Sequence, residues 1–286
     1  GYATDPLNYE HIDDLLEKSV NFGQIIGIHS KLIKISDRLV KILTSDKIAD
    51  TSYLTVSVDG GDDKSYNLAH SLSEKVKVYN RVIENIKKLS DVAANNKNKL
   101  DISANYLVTK VNCSKEEVFT GIENLINAGV HSIRFSFPQL PRGIDSYEGT
   151  IIPNKGEVKK IFEDIKPVID EFKNNKTEVI LIDYDAEKKI TEARTMPCFS
   201  RFIYPAISYD GFLSNCSQSA ATHFRNMALG NLQTTDFWDA FYDYDEKNIF
   251  EFMKNEYKKM KKNDCRCDRK EHTINQILKE EIGDRF

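Results

Sequence analysis

The sequence predicts an α/β fold built on a parallel sheet or barrel, with a smaller cysteine-bearing unit towards its carboxyl end. Three observations predict it. Short apolar runs rich in Ile and Val alternate, through the first two thirds, with longer segments that carry an apolar residue every three or four positions. Several of the short runs are polar on alternate residues, hence on one face. Four of the five cysteines and the single Trp fall after residue 185.

The strand candidates, in order, are Gln24–His29, Tyr53–Asp59, Ile102–Thr109, Ser132–Phe137 and Glu178–Asp183. Between them, Leu72, Val76, Tyr79, Val82, Ile83, Ile86 and Leu89 form one stripe at helical spacing; Val158, Ile161, Phe162, Ile165, Val168, Ile169 and Phe172 form another. Shorter helices are expected at about residues 8–22, where Gly23 serves as the C′ residue, and at 116–128, where Ser114 caps the start and Gly129 the end.

In Tyr53–Asp59 the apolar set is Leu54, Val56 and Val58, with Thr55, Ser57 and Asp59 on the other side. Ile102, Ala104, Tyr106 and Val108 oppose Ser103, Asn105 and Thr109 across a face that also holds Leu107, and Ile133, Phe135 and Phe137 oppose Arg134 and Ser136. Helices must cover the apolar side, so the other side of a curled sheet would be a polar cavity. A closed, packed barrel would carry branched apolar residues there instead.

Composition narrows the function classes. The chain has 286 residues, with 40 Lys+Arg against 44 Asp+Glu and a formal charge of −4, so there is no general attraction to polyanions and nucleic acid is not an expected partner. No apolar run reaches the roughly 20 residues of a membrane span, and no signal peptide is visible, which predicts a soluble, cytoplasmic protein. The chain begins at Gly1 without an initiator Met, so residues upstream are expected.

A domain boundary is expected near 186–195. Beyond it come a short β-like segment, Ile203–Asn215, and two amphipathic helices, one with Ile249, Phe250, Met253, Tyr257 and Met260, the other with Ile274, Ile277, Leu278 and Ile282. Five cysteines in a non-secreted chain argue against a disulfide framework. Cys198 and Cys216 bracket Ser208-Tyr209-Asp210-Gly211, a turn that would fold the intervening chain into a hairpin; Cys265-Arg266-Cys267 follows. Four soft thiolates from a hairpin and a short loop can enclose zinc or an iron–sulfur cluster, and spacing does not choose between them. Cys113 stands alone and reads as a partly buried thiol. Asp59-Gly60-Gly61-Asp62-Asp63-Lys64-Ser65 lacks the spacing of a phosphate loop or an EF-hand and reads as a strand-to-helix turn. GxGxxG, HExxH and GxSxG are absent.

Together these segments resemble the radical SAM enzymes, specifically those with a SPASM/twitch-type extension that carries an auxiliary cluster. The extension's motif is Cys, 9 to 15 residues, Gly, four residues, Cys; Cys198, twelve residues, Gly211, four residues and Cys216 satisfy it. Leu229-Gly230-Asn231-Leu232 is similar to the family's step after the second cysteine, and Cys265 and Cys267 end the match. The resemblance implies an incomplete parallel (β/α)6-type partial barrel over 1–187 and a small twitch-like domain, a β-hairpin plus helices, over 188–286. It implies one auxiliary 4Fe-4S cluster on Cys198, Cys216, Cys265 and Cys267.

Ser57-Val58-Asp59-Gly60 resembles the family's fourth-strand S-x-D-G, and Asn105, Arg134 and Ser136 stand where later strands approach cofactor or substrate. Gly1-Tyr2-Ala3-Thr4-Asp5-Pro6 stands at the family's GGEP position; its Glu is absent, and Thr4 and Asp5 offer oxygens for the ammonium of S-adenosylmethionine. The C-x3-C-x2-C loop for the catalytic 4Fe-4S cluster is also absent, so the 286 residues are expected to be inactive alone and to belong to a longer oxidoreductase. What the resemblance implies for that parent is reductive cleavage of S-adenosylmethionine, a peptide or protein substrate, and an electron donor such as flavodoxin or ferredoxin. The alternative is a non-catalytic module that binds a peptide or partner and holds a structural metal on its four cysteines.

Overall fold

Parallel neighbours cannot be joined by tight turns, so successive strands of the first unit are joined by crossovers that return the chain to the same end of the sheet. The computed structural model describes residues 5–138, 150–182, 197–220, 222–244, 246–263, 265, 267 and 269–282. Strands β1 (Gly27–Ser30), β2 (Tyr53–Ser57), β3 (Asp101–Leu107), β4 (Ser132–Ser136) and β5 (Glu178–Leu181) form a five-stranded, all-parallel sheet in sequential order. The α/β class read from the alternation is the class found.

The crossovers hold α2 (Asp37–Leu43), α3 (Asp63–Ala69), α4 (Val78–Asn95), α5 (Lys115–Asn127) and α6 (Lys155–Glu171), with α1 (Ile12–Asn21) before β1. Leu54, Val56, Ile102, Ala104, Ile133 and Phe135 are fully buried and share one core with Val82, Ile86, Val118, Ile122 and Ile165 of the helices. Each such aliphatic side chain contributes roughly 2 kcal/mol through burial. The helix ends follow local chemistry. Gly23 and Gly129 take φ of 69° and 86° after α1 and α5, and Ser114 accepts the Glu117 N–H at 3.1 Å.

Three extents differ from the expectation. Residues 8–22 give a shorter α1, preceded by a 3-10 turn over Pro6–Asn8 that Asp5 caps. The stripe beginning at Leu72 starts as a helix only at Val78, because α3 ends at Ala69, Ser71 takes φ of 54°, and the buried Asn67 amide donates to Ser73 O at 3.2 Å and Val76 O at 2.8 Å. Leu72 and Val76 are left exposed. Helix α2 was not expected: it has seven residues, too few to show periodicity, and starts at a Ser36 cap.

The boundary expected at 186–195 falls outside the described residues, which separate into one compact unit up to 182 and another from 197. In the second unit β6 (Ala206–Ile207), β7 (Phe212–Ser214) and β8 (Gly230–Asn231) form an antiparallel sheet, followed by α7 (Phe237–Phe241), α8 (Ile249–Lys262) and α9 (Arg269–Ile282). Leu213 packs with Ala240 and Phe241.

Candidate cofactor face and thiol site

Sequential order places the apolar core on one side of the parallel sheet, and the other side carries the polar alternation. Thr55 and Ser103 are in register, their hydroxyls 3.2 Å apart. Ser57, Asn105 and Arg134 form the next rank, and Leu107 and Ser136 the one after it. Ranks follow each other by roughly 7 Å and neighbours within a rank by roughly 5 Å, a grid of hydrogen-bonding groups with one guanidinium. Ser57, Asn105 and Ser136 are half-buried and Arg134 is exposed. Thr109, expected on the same side, is instead buried in the following turn, bonded to Asn112.

At the carboxyl ends of β1, β2 and β3 the polar groups are joined. Asp59 Oδ1 accepts the Leu107 N–H at 2.8 Å, and its Oδ2 lies 3.2 Å from His70 Nε2. His70 Nδ1 is 3.4 Å from Lys31 Nζ, and the backbone N–H of Lys31 donates to Asp5 Oδ2 at 2.6 Å. Asp5 also accepts from Leu7 N–H and the Ser30 hydroxyl, both at 2.9 Å. Two residues expected at this site, Asp5 and Asp59, are thus bridged through Lys31 and His70; Thr4 lies outside the described residues. Tyr66 is fully buried beside them, its hydroxyl proton held more tightly than usual by burial first and by the charges of Asp59 and Asp5 second.

Sequence reasoning missed His70, which the scattered histidines did not single out, and Asn112, which supports Asp59 from behind. The fully buried Asn112 amide donates to Asp59 O at 3.0 Å and Leu107 O at 2.9 Å, and its Oδ1 accepts the Thr109 N–H at 2.6 Å. The Gly60–Gly61 turn leads from β2 into α3, as a strand-to-helix turn should. Its anion position is filled from within by the Glu117 carboxylate, which accepts from Gly61 N–H and the Ser65 hydroxyl.

In the second unit the expected turn forms: Gly211 takes φ of 82°, and its N–H donates to Ser208 O at 3.0 Å. The Asp210 carboxylate takes Arg225 in a fork, with Nε at 3.0 Å and a terminal nitrogen at 2.6 Å. The cysteines form no disulfide; Cys198, Cys216 and Cys265 are buried and Cys267 is half-buried. Cys198 and Cys265 share a small core with Met227 and Met260, while Cys216 lies 3.7 Å from the Ser219 hydroxyl. Cys267 accepts the Asn275 amide N–H at 3.3 Å. Among the described residues no three His, Cys, Asp or Glu side chains stand as a ready metal-ligand group. The donor chemistry nonetheless fits a thiophilic centre, since the thiols are unbridged, largely buried, and one already accepts an N–H. Cys113, half-buried, has its thiol pushed up by burial.

Solved structures of similar fold are found. Streptococcus suis SuiB bound to S-adenosylmethionine aligns with a TM-score of 0.55 at 18% identity, over 86% of this chain and 54% of SuiB. The likeness is one of fold, to the aligned half of SuiB. SuiB bound to its precursor peptide SuiA aligns with a TM-score of 0.53 at 19% identity, over 84% of this chain and 52% of SuiB. A structure of anSMEcpe with bound AdoMet and the Kp18Cys peptide aligns with a TM-score of 0.51 at 16% identity, over 88% of this chain and 66% of that one. The chain therefore spans about half the length of SuiB. No protein-family model matches it, and no curated protein does. Among the described residues no helix is long and apolar enough to cross a membrane.

Proposed function

We propose that the chain belongs to a radical S-adenosylmethionine oxidoreductase that modifies a peptide or protein, and that residues 188–286 are a twitch-like domain for one auxiliary 4Fe-4S cluster. The observation that carries this reading is the polar face of the SuiB-like sheet, with Ser57, Asn105 and Arg134 in one rank and Asp59 fixed at its carboxyl edge. In a partial barrel that face would be the lumen, where Asn105, Ser136 and Arg134 would orient cofactor and peptide by hydrogen bonds. The bound S-adenosylmethionine and peptides of SuiB and anSMEcpe support that ligand pair.

Cys198, Cys216, Cys265 and Cys267 would hold the auxiliary cluster. Such a group supplies one-electron transfer, and ligation by all four leaves no iron open to substrate. These residues contain no C-x3-C-x2-C run, so the catalytic cluster and the electron donor, a flavodoxin or ferredoxin, lie outside them.

Equilibrium dialysis with labelled S-adenosylmethionine tests the reading of the face. Asn105→Leu, which fills the middle of the rank without touching the buried side, should cut retention at least tenfold. Equal retention by both proteins would remove the face from the cofactor site. One observation favours a second reading, a non-catalytic partner-binding module with a structural metal held by the four cysteines: the Asp5 carboxylate is already taken by Leu7, Ser30 and Lys31.

A further inference from the structure

Asn275 sits mid-way along α9 and is fully buried, a position where Asn is a poorer helix former than Ala and where an unpaired amide would be costly. Its amide is used at both ends. Oδ1 accepts the Phe199 N–H at 2.6 Å and the Ser200 N–H at 3.3 Å, the two backbone donors that follow Cys198. Nδ2 donates to Cys267 Sγ at 3.3 Å. The orientation is not interchangeable, because backbone N–H groups only donate; the end facing Phe199 and Ser200 must be the oxygen, and the end facing the sulfur must be the NH2.

One side chain therefore connects the segment that carries Cys198 with the segment that carries Cys267, which are 69 positions apart in sequence. Cys198 and Cys267 themselves stand outside helix and strand. A hydrogen bond to a ligating sulfur withdraws electron density and favours the more negative, reduced state of a cluster.

We propose that Asn275 is the positioning residue of the thiol site: its carbonyl oxygen holds the Cys198 segment in place, and its NH2 raises the reduction potential of the cluster that Cys267 helps to hold. The inference rests on the reading of the four cysteines as iron–sulfur ligands. It adds a residue that is not itself a ligand, with two separable tasks.

The full chain is reconstituted anaerobically with iron and sulfide as the wild type, Asn275→Asp and Asn275→Ala. Iron content and the midpoint potential are then measured, the latter in a titration in which dithionite passes a single electron to the cluster. Asp keeps an oxygen for the Phe199 and Ser200 N–H groups, loses the donor to Cys267 and adds negative charge. Asn275→Asp should load as much iron as the wild type, with a midpoint shifted to lower potential beyond the spread of replicates. Asn275→Ala loses both tasks and should retain several-fold less iron. An unshifted midpoint in Asn275→Asp would overturn the inference and leave the cluster reading standing. So would loss of iron from Asn275→Asp as severe as from Asn275→Ala, since the two ends of the amide would then have no separate tasks. A wild type that takes up no iron and sulfide would overturn both.

Discussion

Asp59 and His70 meet at the mouth of β2: Oδ2 lies 3.2 Å from Nε2, while Oδ1 accepts the Leu107 N–H at 2.8 Å. Both side chains are largely buried, so neither exchanges its partner freely for water. His70→Ala should lower stability by about 1–2 kcal/mol, because it removes a largely buried ring that packs on Tyr66 with its centroid 4.4 Å away and stands against the Asp59 carboxylate. Urea denaturation checks this. An unchanged midpoint would make the contact incidental to the fold.

Asn112 joins the ends of β2 and β3 through both ends of its amide, with Asp59 O, Leu107 O and Thr109 N–H as partners. Asn112→Ala leaves all three short of a partner in a buried place. The expected loss is about 2–4 kcal/mol by chemical denaturation. Because Asp59 is displaced with the turn, retention of S-adenosylmethionine should fall in the same variant.

Gly211, the glycine between Cys198 and Cys216, takes φ of 82°. An added Cβ would stand 3.2 Å from Gln233 Cγ and 3.3 Å from Asn231 Oδ1, so strain and crowding act together. Gly211→Ala should cost the second unit about 1–2 kcal/mol and reduce metal loading, read from thermal melts and iron content.

Asp210 in the same turn is held below its ordinary value of 3.8 by the Ser208 hydroxyl first and, after an opposing effect of desolvation, by Arg225. A carboxyl depressed in the folded state contributes stability that is fully present above its unfolded pKa and is lost as pH falls through the folded value. The second unit should therefore lose this contribution below about pH 4. Asp210→Asn should be less stable than the wild type at neutral pH, with the difference shrinking in melts taken between pH 5 and pH 3. A gap constant with pH would show that the carboxylate's charge is not what holds the turn.

The parallel sheet was legible in the sequence because both of its signals are local. Val56 and Ser57 declare opposite faces by alternation, and Ser114 and Gly129 declare the ends of α5 by their own backbone preferences. The hairpin turn was legible for the same reason, Gly211 being the residue that tolerates its φ. What stayed hidden depends on partners distant in sequence. His70, Asn112 and Asn275 are ordinary residues until the fold supplies Asp59, Leu107 and Cys267 as neighbours. Asn275 left no trace, since the apolar stripe of Ile274, Ile277 and Leu278 predicts another face and Ile277 is exposed while Asn275 is fully buried. The over-long helix drawn through Leu72 shows the converse, since Asn67 folds the link back on itself by bonds that no periodicity records.

The most direct test of the cysteine site is anaerobic reconstitution of the chain with iron and sulfide, followed by metal and sulfide analysis and a visible spectrum, with Cys216→Ala alongside. A 4Fe-4S centre on Cys198, Cys216, Cys265 and Cys267 predicts about four irons per chain with matching sulfide, lost in the variant. Tight zinc without sulfide, or iron unchanged in Cys216→Ala, would contradict it and favour the structural metal site of a binding module.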